Sequence, residues 1–340
     1  MTDLETRAPS VLDMVFGYTA AQMLNVAARL EIADRLAAGA MTSAELAAAA
    51  RTDGPAMYRL LRGLACFGVV IETGPDLFTL GPAGESLRAD APHSVRAMVM
   101  LLCADETWRS WGQLEYSVRT GQPAWEKVTG VSNFEYLASN PQKSAEFNAA
   151  MAEYTRAAVP GILSRYDFSR LGNVVDVGGG DGTLLAELLR AVPGLRGTVF
   201  DLPAGVETAR QTLAAAGVTD RSTVVSGDFF DTVPDGADGY LLKSVLHDWD
   251  DKKAVEILTQ CRKAMAPGGV VLTIEPVLPP TVTSPAVIGV VMSDLNMLVN
   301  TGGRERTEAE FGELYAAAGL TLTSISGQEA DFCVIEGRAS

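Results

Sequence analysis

"NVVDVGGGDGTLLAELLRAV", residues 173–192, is an apolar run that ends in glycines and continues as an amphipathic helix. Val174, Val175 and Val177 suit a strand buried on both faces, and the glycines at 178, 179, 180 and 182 suit a turn that brings backbone close to a ligand. The same alternation continues along the chain. "GTVFDLP", "STVVSGDFF", "GYLLKSVL" and "VVLTIEPVL" read as strands, with "GVETARQTLAAAG" and "DKKAVEILTQCRKAM" as helices between them. Strands separated by helices predict a parallel, doubly wound α/β sheet, whose ligands sit at the carboxyl ends of the strands. Chemistry is therefore sought just past Val177, Asp201, Phe229, Lys243 and Glu275.

The chain has 340 residues, 47% of them hydrophobic and 20% charged, with a net charge of −15. That length predicts two domains with ample core. The acidity argues against nucleic acid and anionic membranes, which need clustered Lys and Arg. No apolar run approaches the roughly 18 residues of a membrane span. The opening "MTDLETRAPS" has two acids and no apolar core, so it does not read as a secretory signal. Cys66, Cys103, Cys261 and Cys333 are scattered without a CxxC pair, as expected of reduced thiols in the cytoplasm.

Upstream, residues 11–38 are apolar at helical spacing, with Asp13 the one charge before Arg29. A helix apolar on most faces must be covered, and near a chain end a second subunit often covers it. Thr42 and Glu45 form a capping box, and Pro55 opens a further helix. "VVIETGPDLFTL" reads as a two-stranded wing turning at Gly74-Pro75. Helices followed by a wing would suit a DNA reader, but the recognition helix would offer only Arg51, Arg59 and Arg62. Dimerisation is the stronger expectation. Residues 92–170 read as helical and aromatic-rich, with Trp108, Trp111, Tyr116 and Trp125 among the rings, and "GQPAWEKVTG" as a loop.

Gly178, Gly180 and Gly182 give GxGxG, but the dinucleotide fingerprint needs glycine at 183, where Thr183 stands. Asp201 lies 201 − 178 = 23 residues after Gly178, placed either to bind both hydroxyls of a ribose or to cap a helix ahead of Pro203. Asp228 and Phe229 close the third strand, an acid for an amino group beside a ring for stacking. A nucleoside pocket with no phosphate-binding feature points to S-adenosylmethionine. Lys243 ends the fourth strand and reads either as a cofactor contact or as a surface lysine.

His247 is one of two histidines in the chain; His93 sits in a polar turn and reads as exposed. As general base toward a phenol, an imidazole near pKa 6.5 falls about 3.5 units short of a hydroxyl near 10, or roughly 5 kcal/mol. Glu275 and Glu305 can stabilise the imidazolium, a carboxylate against the far ring nitrogen fixing the tautomer. Asp248 could assist or cap a helix. A metal reading of Asp248, Asp250 and Asp251 is disfavoured, because the last two suit a helix N-terminus and no second histidine is near. No metal is expected.

"VVDVGGGDG", "FDLP", "GDFF", "KSVLHDW" and "GGRERT", in this order, resemble the small-molecule O-methyltransferases typified by plant caffeate and flavonoid enzymes, with bacterial relatives that tailor natural products. The resemblance spans nearly the whole chain. It implies a class I methyltransferase fold, Rossmann-like and doubly wound, behind a mainly helical winged-helix dimerisation domain. The domains expected are residues 1–100 for dimerisation, 101–170 as a helical linker lining the substrate pocket, and 171–340 for catalysis. It further implies a homodimer that turns S-adenosylmethionine into S-adenosylhomocysteine while methylating a hydroxyl of a small aromatic or polyketide-like molecule. Gly178, Gly180, Asp201, Leu202, Asp228, Phe229 and Lys243 would hold the cofactor, and His247, Glu275 and Glu305 would act on the acceptor. Asp248, Asp294, Asn296 and Met297 would touch that acceptor, although the methionines of "AVIGVVMSDLNMLV" also suit a helix core. Rival readings are C- or N-methylation, a non-methylating hydroxylase or decarboxylase on the same fold, an NAD oxidoreductase, and a DNA-binding regulator.

Overall fold

The computed structural model describes residues 10–327 and 332–340. The secretory-signal reading of the first ten residues therefore falls almost wholly outside the described chain. Two compact units emerge, up to Asp105 and from Glu106 onward. The segment expected as a separate linker is thus divided between them, most of it built into the second unit.

In the first unit, helices Val11–Arg29, Ile32–Ala37, Ser43–Ala50 and Gly54–Ala65 precede the antiparallel wing strands β1 (Val70–Gly74) and β2 (Leu77–Leu80). The apolar stretch 11–38 is two helices rather than one, because Glu31 takes a left-handed conformation at φ 55°. The Thr42–Glu45 capping box and Pro55 stand as expected. The wing turns through Asp76 at φ 52°, one residue beyond Gly74-Pro75. Ile32, Leu36, Leu46, Leu61, Leu64 and Phe78 form this unit's core. Outside it, Val11, Leu12, Met14, Val15, Phe16 and Tyr18 stay exposed, Val11 at 72%.

The second unit begins with short helices and the long helix Pro141–Arg165. "GQPAWEKVTG" is not a loop: Ala124–Thr129 is helical. Its Pro and Gly bracket the helix, Pro123 leading in and Gly130 ending it at φ 86°, while Trp125 is buried inside.

Next come β3 (Asn173–Val177), β4 (Arg196–Asp201), β5 (Ser222–Ser226), β6 (Gly239–Lys243) and β7 (Val270–Glu275). A two-residue pair, β8 (Val277–Leu278) and β9 (Arg306–Thr307), is followed by β10 (Leu320–Ser326) and β11 (Cys333–Ala339). The large sheet has the order β10-β11-β7-β6-β3-β4-β5. The five consecutive strands from β7 to the edge strand β5 are parallel, but β11 runs antiparallel to β7 and to β10. The expected parallel sheet is therefore mixed. "LTLTSIS" carries the alternation of a half-buried edge strand, and "CVIEGRA" inserts beside β7 and covers that strand's open edge.

Alternation along the strands divides the core between two faces. Val175, Val177, Tyr240 and Leu242 pack toward Ile257, Leu258, Phe311 and Tyr315. Val174, Leu241, Leu272 and Ile274 pack toward Ile162, Leu184 and Leu188. The strand order reverses at β3, with β4 and β5 on one side and β6 and β7 on the other. Such a switch point is where a doubly wound sheet places its ligand, and here it lies at the carboxyl end of β3, where the glycine turn begins. No described helix is long and apolar enough to cross a membrane.

Candidate active site

The glycine turn is built for close approach. Gly178, Gly180 and Gly182 all have positive φ, 71°, 54° and 78°. A Cβ at Gly178 would lie 2.8 Å from Val245, whereas one at Gly180 would meet nothing within 4 Å. The turn is thus tight against the protein at its start and open at its centre. Asp201 binds across it, its Oδ2 accepting from the Gly180 N–H at 2.8 Å and its Oδ1 from the Leu202 N–H at 2.6 Å. Burial raises the Asp201 pKa against those two hydrogen bonds. Asp201 caps no helix, since the next begins at Ala209. Leu202 beside it is exposed.

Strand β5 ends at Ser226, so Asp228 and Phe229 lie beyond the third strand instead of closing it. Asp228 is exposed and its Oδ1 accepts from the Phe230 N–H at 2.8 Å, which curls the chain after the strand. The Phe229 ring lies 3.9 Å from where a Gly178 Cβ would stand. The structure thus brings Gly178, Gly180, Asp201 and Phe229 to one crevice.

Lys243 is no surface lysine. Its ammonium lies 5.0 Å from the Phe332 ring centre and 5.4 Å from that of Tyr154, and donates to Ser244 Oγ at 3.1 Å. Burial lowers its pKa to about 8, against the pull of Asp176 and Glu275. Asp176 was missed by sequence reasoning, although an acid inside "VVDV" is itself a signal. It is 1% exposed, Oδ2 has no hydrogen-bond partner among the described residues, and burial lifts its pKa to about 7.

His247 lies on a single turn of 3₁₀ helix, Leu246–Asp248, just past β6. Opposite charges hold that turn from two sides. Glu275, at the end of β7 and fully buried, accepts from the Val245 and His247 N–H groups at 3.0 and 3.1 Å through Oε1. Arg306, also fully buried, donates to the carbonyls of Leu246 at 3.0 Å and Trp249 at 2.8 Å. The Arg304 N–H donates to the His247 carbonyl at 2.8 Å. Gly303 makes this approach possible, because a Cβ there would stand 2.0 Å from the His247 carbonyl oxygen.

The ring itself is gripped by Glu305, whose Oε1 lies 2.9 Å from Nδ1. Ser293 Oγ donates to the same oxygen at 2.6 Å, and Asp294 accepts from the Glu305 N–H at 2.9 Å. A carboxylate against Nδ1 keeps the proton there in the neutral ring and leaves the Nε2 lone pair free. The two glutamates therefore divide the work that the sequence assigned to both. Glu305 holds the ring, and Glu275 holds the backbone and acts on the ring through its field alone.

Burial alone would lower the His247 pKa. The charges of Glu305 and Asp248, the Glu305 hydrogen bond and the charge of Glu275 overcome it and raise the value to about 10. Burial pushes Asp248 up to about 6 and Glu275 up to about 7, with His247 opposing both. Asp248 is not a helix cap; Asp250 fills that place, accepting from the Lys253 N–H at 2.9 Å.

The residues expected to touch an acceptor are largely engaged inside the protein. Asp294 holds Glu305, Asn296 accepts from Trp111 and Asn300, and Met297 is 9% exposed. The signal for Ser293 and Arg306 lay in neither periodicity nor spacing, since each acts on a partner far along the chain. Among the described residues no group of three His, Cys, Asp or Glu side chains could hold a metal ion.

Comparison with known proteins agrees with this architecture. Residues 111–321 match the O-methyltransferase domain and residues 12–90 the O-methyltransferase dimerisation domain. The chain is 43% identical to O-demethylpuromycin-O-methyltransferase of Streptomyces alboniger, over 93% of this chain and 84% of that one. The solved structure of LaPhzM superposes with a TM-score of 0.93 at 40% identity, over 97% of this chain and 98% of that one. The neocarzinostatin enzyme NcsB1, solved with S-adenosyl-L-homocysteine and 1,4-dihydroxy-2-naphthoic acid, gives 0.79 at 39% identity, over 94% and 96%. The chain belongs to the O-methyltransferase family, with the family's dimerisation domain preceding its catalytic domain.

Proposed function

We propose that this enzyme methylates a hydroxyl of a small aromatic or polyketide-like molecule, with His247 as general base. One observation carries the assignment of the base. His247, at the carboxyl edge of the sheet, has Nδ1 committed to a buried glutamate, and its Nε2 makes no hydrogen bond to a described residue.

S-adenosylmethionine supplies the methyl group on a sulfonium that oxygen can attack in line. The residues present suit it. Gly178 and Gly180 allow close approach, and Asp201 can turn its carboxylate from the Gly180 N–H to a ribose. Phe229 would offer its ring to the adenine, and Leu202, Asp228 and Lys243 would complete the residues that hold the cofactor. Thr183 in place of the third fingerprint glycine fits a nucleoside without phosphates better than a dinucleotide.

The proton is the protein's task. With the His247 pKa raised by Glu305, Asp248 and Glu275, the gap to a phenol near 10 narrows and proton transfer to the ring becomes less costly. Neutral phenol with imidazole and phenolate with imidazolium carry the same proton count, so the pair can enter in either form. Transfer leaves the proton on Nε2, where Glu305, Asp248 and Glu275 stabilise the cation. Asp294 serves by fixing Glu305, and Asn296 and Met297 by shaping the helix behind the acceptor.

The exposed apolar row from Val11 to Tyr18 supports a homodimer, since a second copy would bury it. Four free thiols, two of them buried, support a reducing cytoplasmic setting.

Transfer of labelled methyl from S-adenosylmethionine to a panel of phenols and hydroxyquinones tests the reaction. His247→Ala is expected to lower kcat by about 10²–10⁴-fold, the usual contribution of a general base. Unchanged turnover removes His247 from the mechanism. With two histidines in the chain, NMR titration separates His247 from His93. The raised pKa means that the His247 ring stays protonated at neutral pH and loses its proton near 10, and Glu305→Gln should lower that midpoint by at least about one unit. A midpoint near 6.5 in both proteins contradicts the charge assignment. Val15→Asp combined with Phe16→Asp should convert a dimer to monomers in sedimentation; a dimer that persists places the interface elsewhere.

A further inference from the structure

We propose that Arg306 is a positioning residue for methyl transfer, fixing where the His247 ring points without touching cofactor or acceptor; this rests on His247 being the base. Arg306 is 0% exposed, yet its role is not that of a salt bridge alone. Its Nε donates to Asp251 Oδ1 at 3.0 Å, while Nη1 and Nη2 reach the carbonyls of Leu246 and Trp249. Those two carbonyls flank His247 in sequence. Only a planar guanidinium can serve three acceptors in one plane, and an ammonium on a flexible stem cannot reproduce that fork.

The backbone makes the grip specific. Arg306 opens β9, which pairs in parallel with β8, and Val277 of β8 faces Arg306 directly. Strand β8 lies two residues past Glu275, so this short pairing ties the anion that takes the turn's N–H groups to the cation that takes its carbonyls. Glu305, the residue gripping the imidazole, precedes Arg306. Moving Arg306 therefore moves the ring partner and the turn together. Gly303 and the Arg304 N–H seat the other end of the same segment against the His247 carbonyl. The segment 303–306 acts as a template pressed against the turn, with Arg306 as its anchor.

Arg306→Lys keeps a buried cation but loses the fork. Gly303→Ala leaves every charge in place and drives a methyl into the His247 carbonyl, so it loosens the same 303–306 segment from the same turn if Arg306→Lys fails to fold. Both variants, checked by melting and by calorimetry with S-adenosylhomocysteine, are expected to keep cofactor affinity within about threefold while kcat falls at least about tenfold, the cost of loosening a positioned group. The acceptor KM should change little, and the pH midpoint of kcat/KM should fall from near 10 as the Glu305 contact loosens. The deciding arm is the double variant. In a His247→Ala background, Arg306→Lys should cost no further kcat, because residues acting as one unit are not additive. An additive loss, a loss that only follows cofactor affinity or folded fraction, or wild-type kcat with an unmoved pH midpoint overturns the proposal. Wild-type turnover in His247→Ala alone overturns instead the assignment of the base.

Discussion

A five-residue turn, Val245 to Trp249, is held between a buried carboxylate and a buried guanidinium, and the role proposed for His247 depends on that grip. Glu275 takes the N–H groups and Arg306 takes the carbonyls. Each charge meets the end of the peptide dipole that suits it, so backbone groups supply much of the solvation that burial removes. Neither residue is placed by its own neighbours in sequence. Glu275 arrives on β7, Arg306 on β9, and the turn at the end of β6; only the assembled sheet brings the three together.

This arrangement is what would let one histidine serve the proton transfer proposed for it. An imidazole fixed only by packing would lose basicity on burial, because desolvation penalises the cation. Here Glu305 lies against Nδ1, Asp248 follows the ring in sequence, and Glu275 sits beneath the turn, and their combined field outweighs the desolvation. Two of these acids are themselves raised by burial, Asp248 to about 6 and Glu275 to about 7, with the charge of His247 opposing both shifts. Ser293 and Asp294 add no charge on the ring but restrict the Glu305 carboxylate and its backbone, which keeps the field directed.

Much of this was legible in the sequence, for physical reasons. The parallel strands announce themselves as apolar runs because both their faces are buried, and the glycine turn because only glycine tolerates its positive φ. His247, Glu275 and Glu305 stand out because charged groups at strand ends or beside glycines have no packing reason to be there. The antiparallel pair Leu320–Ser326 and Cys333–Ala339 was harder to see, since one strand alternates weakly and the other carries Glu336 and Arg338 among apolar residues. The helix Ala124–Thr129 was hidden because its proline and glycine mark ends and not an interior. For Glu275 the strand end was legible but its hydrogen-bond partners were not, since whether a carboxylate faces a ring or a backbone depends on a partner 28 residues away. Arg306 stood in the sequence only as part of "GGRERT", and its burial follows from contacts 57 and 60 residues distant.

The central claim is spatial: the grip on the turn aims Nε2 of His247 at the place where an acceptor hydroxyl meets the methyl donor. A crystal structure of the enzyme with S-adenosylhomocysteine and a methylatable phenol tests it most directly. The account predicts the phenolic oxygen within about 2.6–3.2 Å of Nε2, on the side of the ring facing the cofactor sulfur, with Glu305 still on Nδ1. A productive complex with that oxygen bound away from the ring, or with the ring turned into the core, would contradict it.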